Sequence, residues 1–295
     1  MAVFVDAPDI GSAWLKAYAS LQSTGHAVNL SVAIAEPLRE DVGVRRIIER
    51  RLVELRAGGR RDDFQNVQSM HTVANTIFPI GLYRPGAPGA AERFMASVER
   101  GERVRDGSRK KGWGTYIGRL TAYPARDGGT TNQLEAILAT LNRARNFADA
   151  YEMPIEAPDL DGAGGCGDAT AGALLHADVR TDSRKRGGPC LAHVSLTSLN
   201  GVLSMVALYR AHTYETRAYG NFLGLARLLA FLAAESRREV GQLLVVTGHA
   251  YAAAPARGSL LGAAHLAAGD ITDIETHARP LGATMRDLDL PAGPR

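Results

Sequence analysis

Cys190 and Arg210 place a thiol and a guanidinium twenty residues apart, on either side of a predicted hairpin. Between them run AHVSLTSL and VLSMVALYR, two strand-like stretches separated by Asn200-Gly201. Asn-Gly is the strongest short hairpin signal, because both residues accept the positive φ of a type I′ turn. A two-residue turn sets Leu199 against Val202, so Cys190 falls opposite Ala211, beside Arg210. Directly opposed residues sit about 4.5–5.5 Å apart. In a regular ladder the thiol and the guanidinium then point to opposite faces. A β-bulge would bring them to one face, and the sequence marks none. A thiolate is a nucleophile, and a neighbouring cation favours its ionised form. The planar guanidinium fork also suits a phosphate.

The elements that must position this pair follow from periodicity. Tyr219 to Ala234 is apolar almost all the way round, the pattern of a buried helix, and Asn221 sits near its start. A buried amide without partners costs a few kcal/mol, so Asn221 either caps this helix or reads a ligand. QLLVVTGHAY reads as a buried strand that ends in His249 and Tyr251. Upstream, residues 11–21 have helical spacing, and VNLSVAIAEPL (28–38) reads as a strand that stops at Pro37. Residues 40–57 form an amphipathic, Arg-rich helix, and 66–83 a helix broken near Pro79. Residues 85–111 read as loop with one short helix. Residues 132–145 form a helix with Leu134, Ile137, Leu138 and Leu141 on its apolar stripe. Residues 157–188, rich in Gly, Asp, Arg and Lys, read as an irregular insertion, and the stretch after Tyr251 carries no pattern. There is no internal repeat.

Composition narrows the classes. The chain has 295 residues and a formal net charge of +3, with basic residues scattered rather than gathered. Nucleic acid is therefore not an expected partner, whereas a small anionic substrate fits. No stretch reaches the 18 or so apolar residues of a membrane span, and MAVFVDAPDIG lacks the features of a signal peptide. Cys166 and Cys190 form no metal-like pair, so no metal is expected; their number suits a reducing cytoplasm.

The residues quoted above resemble the thymidylate synthases and the related pyrimidine nucleotide hydroxymethylases. Pro189-Cys190 resembles the family's nucleophile at a strand start, Arg210 its phosphate-binding arginine, and Asn221 the residue that reads the base edge, all at the family's spacing. Gly201 and Gly241 also fit. His249 and Tyr251 match the family's sugar-binding His-x-Tyr pair after a two-residue deletion. Tyr116, followed by AYP and Asn132-Gln133-Leu134, is similar to the segment whose tyrosine assists proton traffic. The match covers residues 113–145 and 189–251 and is faint over 11–80.

The departures are specific. The slot of the family's catalytic Glu falls on Asn75 in ANTIF, and the tryptophan that flanks the folate has no counterpart. Arg210-Ala211-His212-Thr213 replaces the usual Arg-Ser-x-Asp run, and the Gly-Asp before the final His is missing. Arg143, Arg145, Arg184 and Arg186 are the candidates for the arginines that cross the family's dimer.

The resemblance implies an α/β (α+β) fold, a thymidylate synthase-like mixed sheet with a buried central helix, in a single domain over residues 1–295. It also implies a homodimer, 5,10-methylenetetrahydrofolate as cofactor and a pyrimidine nucleoside monophosphate as substrate. Addition of the Cys190 thiolate to C6 turns C5 into a nucleophile. The donor and acceptor of Asn221 complement the N3–H and O4 of uracil, and His249 and Tyr251 hydrogen-bond the ribose. Methyl transfer needs the folate stacked and water excluded, so the missing tryptophan tilts the expectation to hydroxymethylation. Methylation of dUMP or UMP, and a non-catalytic nucleotide-binding relative, are the alternatives.

Overall fold

Residues 2–58, 61–62, 65–106, 114–125, 129–143, 148–149, 151–155, 189–253 and 282–283 are described by a computed structural model. The predicted hairpin forms. Asn200 and Gly201 have φ of 52° and 80°, and they join β4 (Leu191–Leu199) to β5 (Val202–Thr213). The other strands of the main sheet are β1 (Val3–Ala7), β2 (His26–Ile34), β3 (Tyr151–Pro154) and β6 (Glu239–Tyr251). The order is β1-β2-β6-β5-β4-β3. Neighbours β1 and β2, and β5 and β6, run parallel; the remaining pairs are antiparallel. The sheet is therefore mixed, as the sequence implied.

The helices are α1 (Ile10–Leu21), α2 (Val42–Ala57), α3 (Met70–Ile77), α4 (Ala90–Asp106), α5 (Tyr116–Thr121), α6 (Gln133–Leu141) and α7 (Tyr219–Glu235). The all-round apolar pattern of α7 has the expected consequence. From Tyr219 to Ala233 every residue but Ala230 is buried, between β5 and β6 on one side and α3 on the other. Two glycines let α3 come close. A Cβ on Gly220 would lie 2.7 Å from the Met70 carbonyl oxygen and from Val73 Cβ; one on Gly224 would lie 2.8 Å from the Ala74 oxygen. A five-residue π turn, Tyr214–Ala218, leads into α7 and supplies no side-chain cap.

Along β5, Leu203, Met205, Ala207 and Tyr209 are buried while Val206 and Leu208 are exposed. The face turned away from α7 also carries exposed Phe4 at the β1 edge.

Two expectations need correction. α4 has 17 residues where a loop with one short helix was expected. Its stripe of Ala90, Ala91, Phe94 and Val98 is buried, and Glu99 pairs with Arg103 at 2.7 Å one turn on. The density of charge and Gly101 hid that stripe. β2 begins at His26 and stops at Ile34, before Pro37. The insertion over 157–188 and Cys166 lie outside the described residues, as do Arg145, Arg184 and Arg186. Among the described residues, no helix is long and apolar enough to cross a membrane.

Gly224→Ala tests the α3–α7 contact. Helix propensity alone would stabilise an alanine by about 0.5–1 kcal/mol. The overlap with α3 should reverse that sign and cost about 1–3 kcal/mol, read as a lower urea midpoint. A midpoint at or above that of the parent would show that α3 does not approach this closely.

Candidate functional site

The register of the hairpin changes before it reaches Cys190. From Leu199↔Val202 to His193↔Leu208 the ladder is regular, but the next pair is Leu191↔Tyr209, so Ala192 is an extra residue in β4. Beyond it the Arg210 N–H donates to the Cys190 carbonyl oxygen at 2.9 Å. The expected pairing of Cys190 with Ala211 is thereby corrected. The bulge opposes Cys190 to Arg210, and opposed residues in an antiparallel pair share a face.

The irregularity extends across the sheet. Both ladders of β6 step over Gly248: Thr247 and His249 pair with Tyr209 and Ala211 on one side, and with Leu30 and Val28 on the other. Asn29, between those last two, has φ 57°. A Cβ on Gly248 would lie 3.2 Å from the Arg210 carbonyl oxygen, so glycine permits the close approach. Asn29, Gly248, Arg210 and Cys190 thus form a row across β2, β6, β5 and β4, just beyond the bulge at Ala192. The inward alternation slips at this row: the buried residue after Tyr209 is His212, and the one after Thr247 is Ala250.

Tyr116 reaches the same place from the first residue of α5. Thr115 caps that helix by accepting from the Gly118 N–H at 3.1 Å. The Tyr116 hydroxyl oxygen accepts from the backbone N–H of Cys190 at 3.2 Å and, more weakly, from that of Leu191 at 3.4 Å. Burial, and then the sulfur of Cys190, push its phenol well above the ordinary range, while the Arg217 guanidinium opposes the rise. Tyr116 therefore keeps its proton at neutral pH and fixes the backbone of the thiol. The neutral phenol is a poor base and a weak acid, and it acts through hydrogen bonds. Cys190 is half-buried and packs against the core.

Tyr209 lies near Cys190, and His212 packs against Tyr209. Tyr209 is fully buried, and its phenol is pushed up by burial and then by Tyr116 and Cys190. Its ring stacks on His212 with centroids 4.2 Å apart and planes 1° apart. Burial holds His212 down at about 3, so the imidazole is neutral. Asn221, also buried, does not cap α7; its Nδ2 lies 2.9 Å from His212 Nε2. His249 and Tyr251 meet at the end of β6, where the Tyr251 hydroxyl is 2.8 Å from His249 Nδ1. Burial, then His26, lower the pKa of His249. The structure thus gathers Cys190, Tyr116 and Arg210 directly, links Asn221 to them through His212 and Tyr209, and sets His249 next to Ala211 on the neighbouring strand.

Asn75 belongs to a different cluster. Its Oδ1 accepts from Arg227 at 3.3 Å, within a network that also holds Glu40, Arg45, His71 and Tyr219. Burial raises the Glu40 carboxyl and Arg45 opposes the rise. No contact joins Asn75 to Cys190 among the described residues.

Sequence reasoning missed three participants. Arg217, whose guanidinium donates to Gln68 Oε1 at 2.9 Å and acts on Tyr116, sits in the π turn, a feature without a sequence signature and frequent at functional sites. Tyr209 reads as an ordinary strand position, and His212 only as part of the altered run after Arg210, until the displaced alternation stacks them. No family model and no curated protein matches the chain.

His212 gives stability a pH dependence. It is neutral in the fold down to about 3 but takes a proton below its ordinary 6.5 once unfolded. The unfolded state therefore binds more protons between these values, and stability falls as pH falls through that window, by up to about 1.4 kcal/mol per unit. His212→Phe should remove this component, so the stability lost between pH 6.5 and 5 shrinks by about 1–2 kcal/mol relative to the parent. Urea titrations at the two pH values measure it; equal losses would show that His212 is protonated in the fold.

Proposed function

We propose that this chain acts on a pyrimidine nucleoside monophosphate, using Cys190 to activate C5 of the base for one-carbon transfer within a thymidylate synthase-like fold. The observation that carries the reading is the bulge at Ala192. It opposes Cys190 to Arg210 while the Tyr116 hydroxyl takes up the Cys190 N–H. In this reading the thiolate sulfur bonds to C6, the C5–C6 double bond opens, and the electron pair passes to O4, leaving C5 nucleophilic. Loss of the C5 proton and expulsion of the thiolate restore the ring. Arg210 grips the phosphate through its fork. Asn221 pairs with the base edge, uracil being preferred, and His249 and Tyr251 hydrogen-bond the ribose. Tyr116 fixes the start of β4 and stays a neutral hydrogen-bonding phenol beside the adduct.

The one-carbon unit belongs to 5,10-methylenetetrahydrofolate in the reading from sequence, and that group would supply an electrophilic methylene carbon. The described residues do not fit it. Asn75, in the slot of the family's glutamate, is held by Arg227. The ring nearest to it in the chain, Phe78, packs into a cluster with Tyr83, Phe94 and Phe231. Trp14 stacks on Tyr18, and Tyr209 on His212. The chemistry that the chain's own side chains support ends at the activated C5. Were a folate to supply the one-carbon unit, the lack of a free ring to stack on it among these would favour water over hydride as the second reactant, and so a 5-hydroxymethyl over a 5-methyl nucleotide. The reading includes a homodimer, for which the exposed apolar positions Phe4, Val206 and Leu208 are the natural surface, and a cytoplasmic setting.

Incubation with UMP, dUMP, CMP and dCMP plus the reduced folate, followed by mass spectrometry of the nucleotide, tests the function. A 5-hydroxymethyl product from a uracil nucleotide is expected; a 5-methyl product would return the chain to methylation. Binding of nucleotides without any product would leave a non-catalytic relative. Cys190→Ala should bind nucleotide within about twofold of the parent and retain less than about a thousandth of its turnover. Turnover above that level would remove Cys190 from the nucleophile's role.

A further inference from the structure

Asn221 and His212 form a buried pair whose geometry restricts both members. The amide nitrogen of Asn221 only donates, so the His212 Nε2 at 2.9 Å accepts, and the single imidazole proton sits on Nδ1. One Nδ2–H is thereby engaged by the ring. The Oδ1 acceptor and the second Nδ2–H remain in one defined orientation. An amide turned by half a revolution would exchange acceptor and donor. This exchange is what separates uracil, with a donor at N3 and an acceptor at O4, from cytosine, with an acceptor at N3 and a donor at N4. An asparagine free to turn answers both bases, whereas a held one answers one of them.

Three features hold it. His212 is 2 % exposed, and its ring lies flat against Tyr209, itself fully buried. Tyr214 and Phe222 close on the imidazole from other directions, with centroids at 5.3 and 5.9 Å. Burial keeps the ring neutral through the physiological range, so Nε2 stays an acceptor. His212 Nδ1 is enclosed and has no partner among the described residues. An unmet buried N–H is costly, and each such group in a native structure calls for an explanation. A ring held in place for the sake of its other nitrogen is one.

We propose that His212 is a positioning residue that fixes the Asn221 carboxamide and thereby sets the choice between uracil and cytosine. The inference rests on the reading that Asn221 faces the base of a pyrimidine nucleotide. His212 touches no substrate; it acts through Asn221. Its position in the chain, two residues after Arg210, ties base selection to the same bulge row that sets the phosphate grip.

The test compares UMP with CMP, and dUMP with dCMP, by calorimetry on the parent and on His212→Leu, with thermal denaturation as the control for folding. The parent should prefer the uracil nucleotide. In the variant this preference should fall by about tenfold or more, with the difference between UMP and uridine unchanged. A folded variant with an unaltered preference would overturn the proposal. A parent that binds none of the four nucleotides would refute the reading of Asn221, and the inference with it; a parent that binds uracil and cytosine nucleotides equally would refute the inference alone. Should His212→Leu not fold, long-range ¹H–¹⁵N spectra of the parent decide. An unprotonated Nε2 in the uracil nucleotide complex is expected, and a protonated Nε2 there would overturn the proposal. Packing alone would leave the uracil preference of a folded His212→Leu unchanged, which makes the base ratio diagnostic of positioning.

Discussion

One surplus residue in β4 determines the geometry of the whole site. Were Ala192 paired with Tyr209 in the regular register, Leu191 would face Arg210 and Cys190 would face Ala211, so Cys190 and Arg210 would lie on opposite faces of the sheet. With Ala192 bulged instead, Cys190 and Arg210 are opposed across the ladder, and the Arg210 N–H closes on the Cys190 carbonyl oxygen. The bulge adjoins a row that includes Arg210, Gly248 and Asn29 on the neighbouring strands. A disturbance shared by four adjacent strands preserves pairing on both sides, because each ladder resumes after the row. Its effect is a local change in which residues face inward, and this change sets His212 under Tyr209.

The row can exist only because the rest of the sheet is anchored. α7 is buried on every side and approaches α3 through Gly220 and Gly224, at a separation that leaves no room for a Cβ. That packing holds β5 and β6 against a rigid element and leaves their ends free to carry irregular backbone. The buried polar groups at those ends are kept neutral by desolvation: Tyr116 and Tyr209 retain their protons, and His212 takes none up. Buried neutral groups such as the Asn221 amide and the His212 imidazole have few alternative partners, which fixes their orientation.

The hairpin, the buried helix and the last strand were legible in the sequence because each has a local cause: Asn-Gly for the turn, an unbroken apolar surface for α7, and a run of Leu and Val ending in His-Ala-Tyr for β6. The spacing of Cys190, Arg210 and Asn221 was legible for the same reason. The bulge was not, since Ala192 differs in nothing from an ordinary strand residue, and its insertion is decided by contacts across the sheet. α4 was underestimated because charge and glycine masked a short apolar stripe. Asn75 was placed by its position in a motif, whereas its partner Arg227 comes from a helix far along the chain. The pairing of Asn221 with His212 likewise depended on the slip in alternation, which no local pattern announces.

The central claim is that Cys190 adds to C6 of a pyrimidine nucleotide and makes C5 reactive. Exchange of the C5 hydrogen with solvent tests it most directly, because adduct formation alone permits that exchange and no one-carbon donor is needed. UMP and dUMP carrying tritium at C5 should lose the label to water with the parent protein and keep it with Cys190→Ala. Label retained by the parent at saturating nucleotide, or lost equally with the alanine variant, would contradict the account.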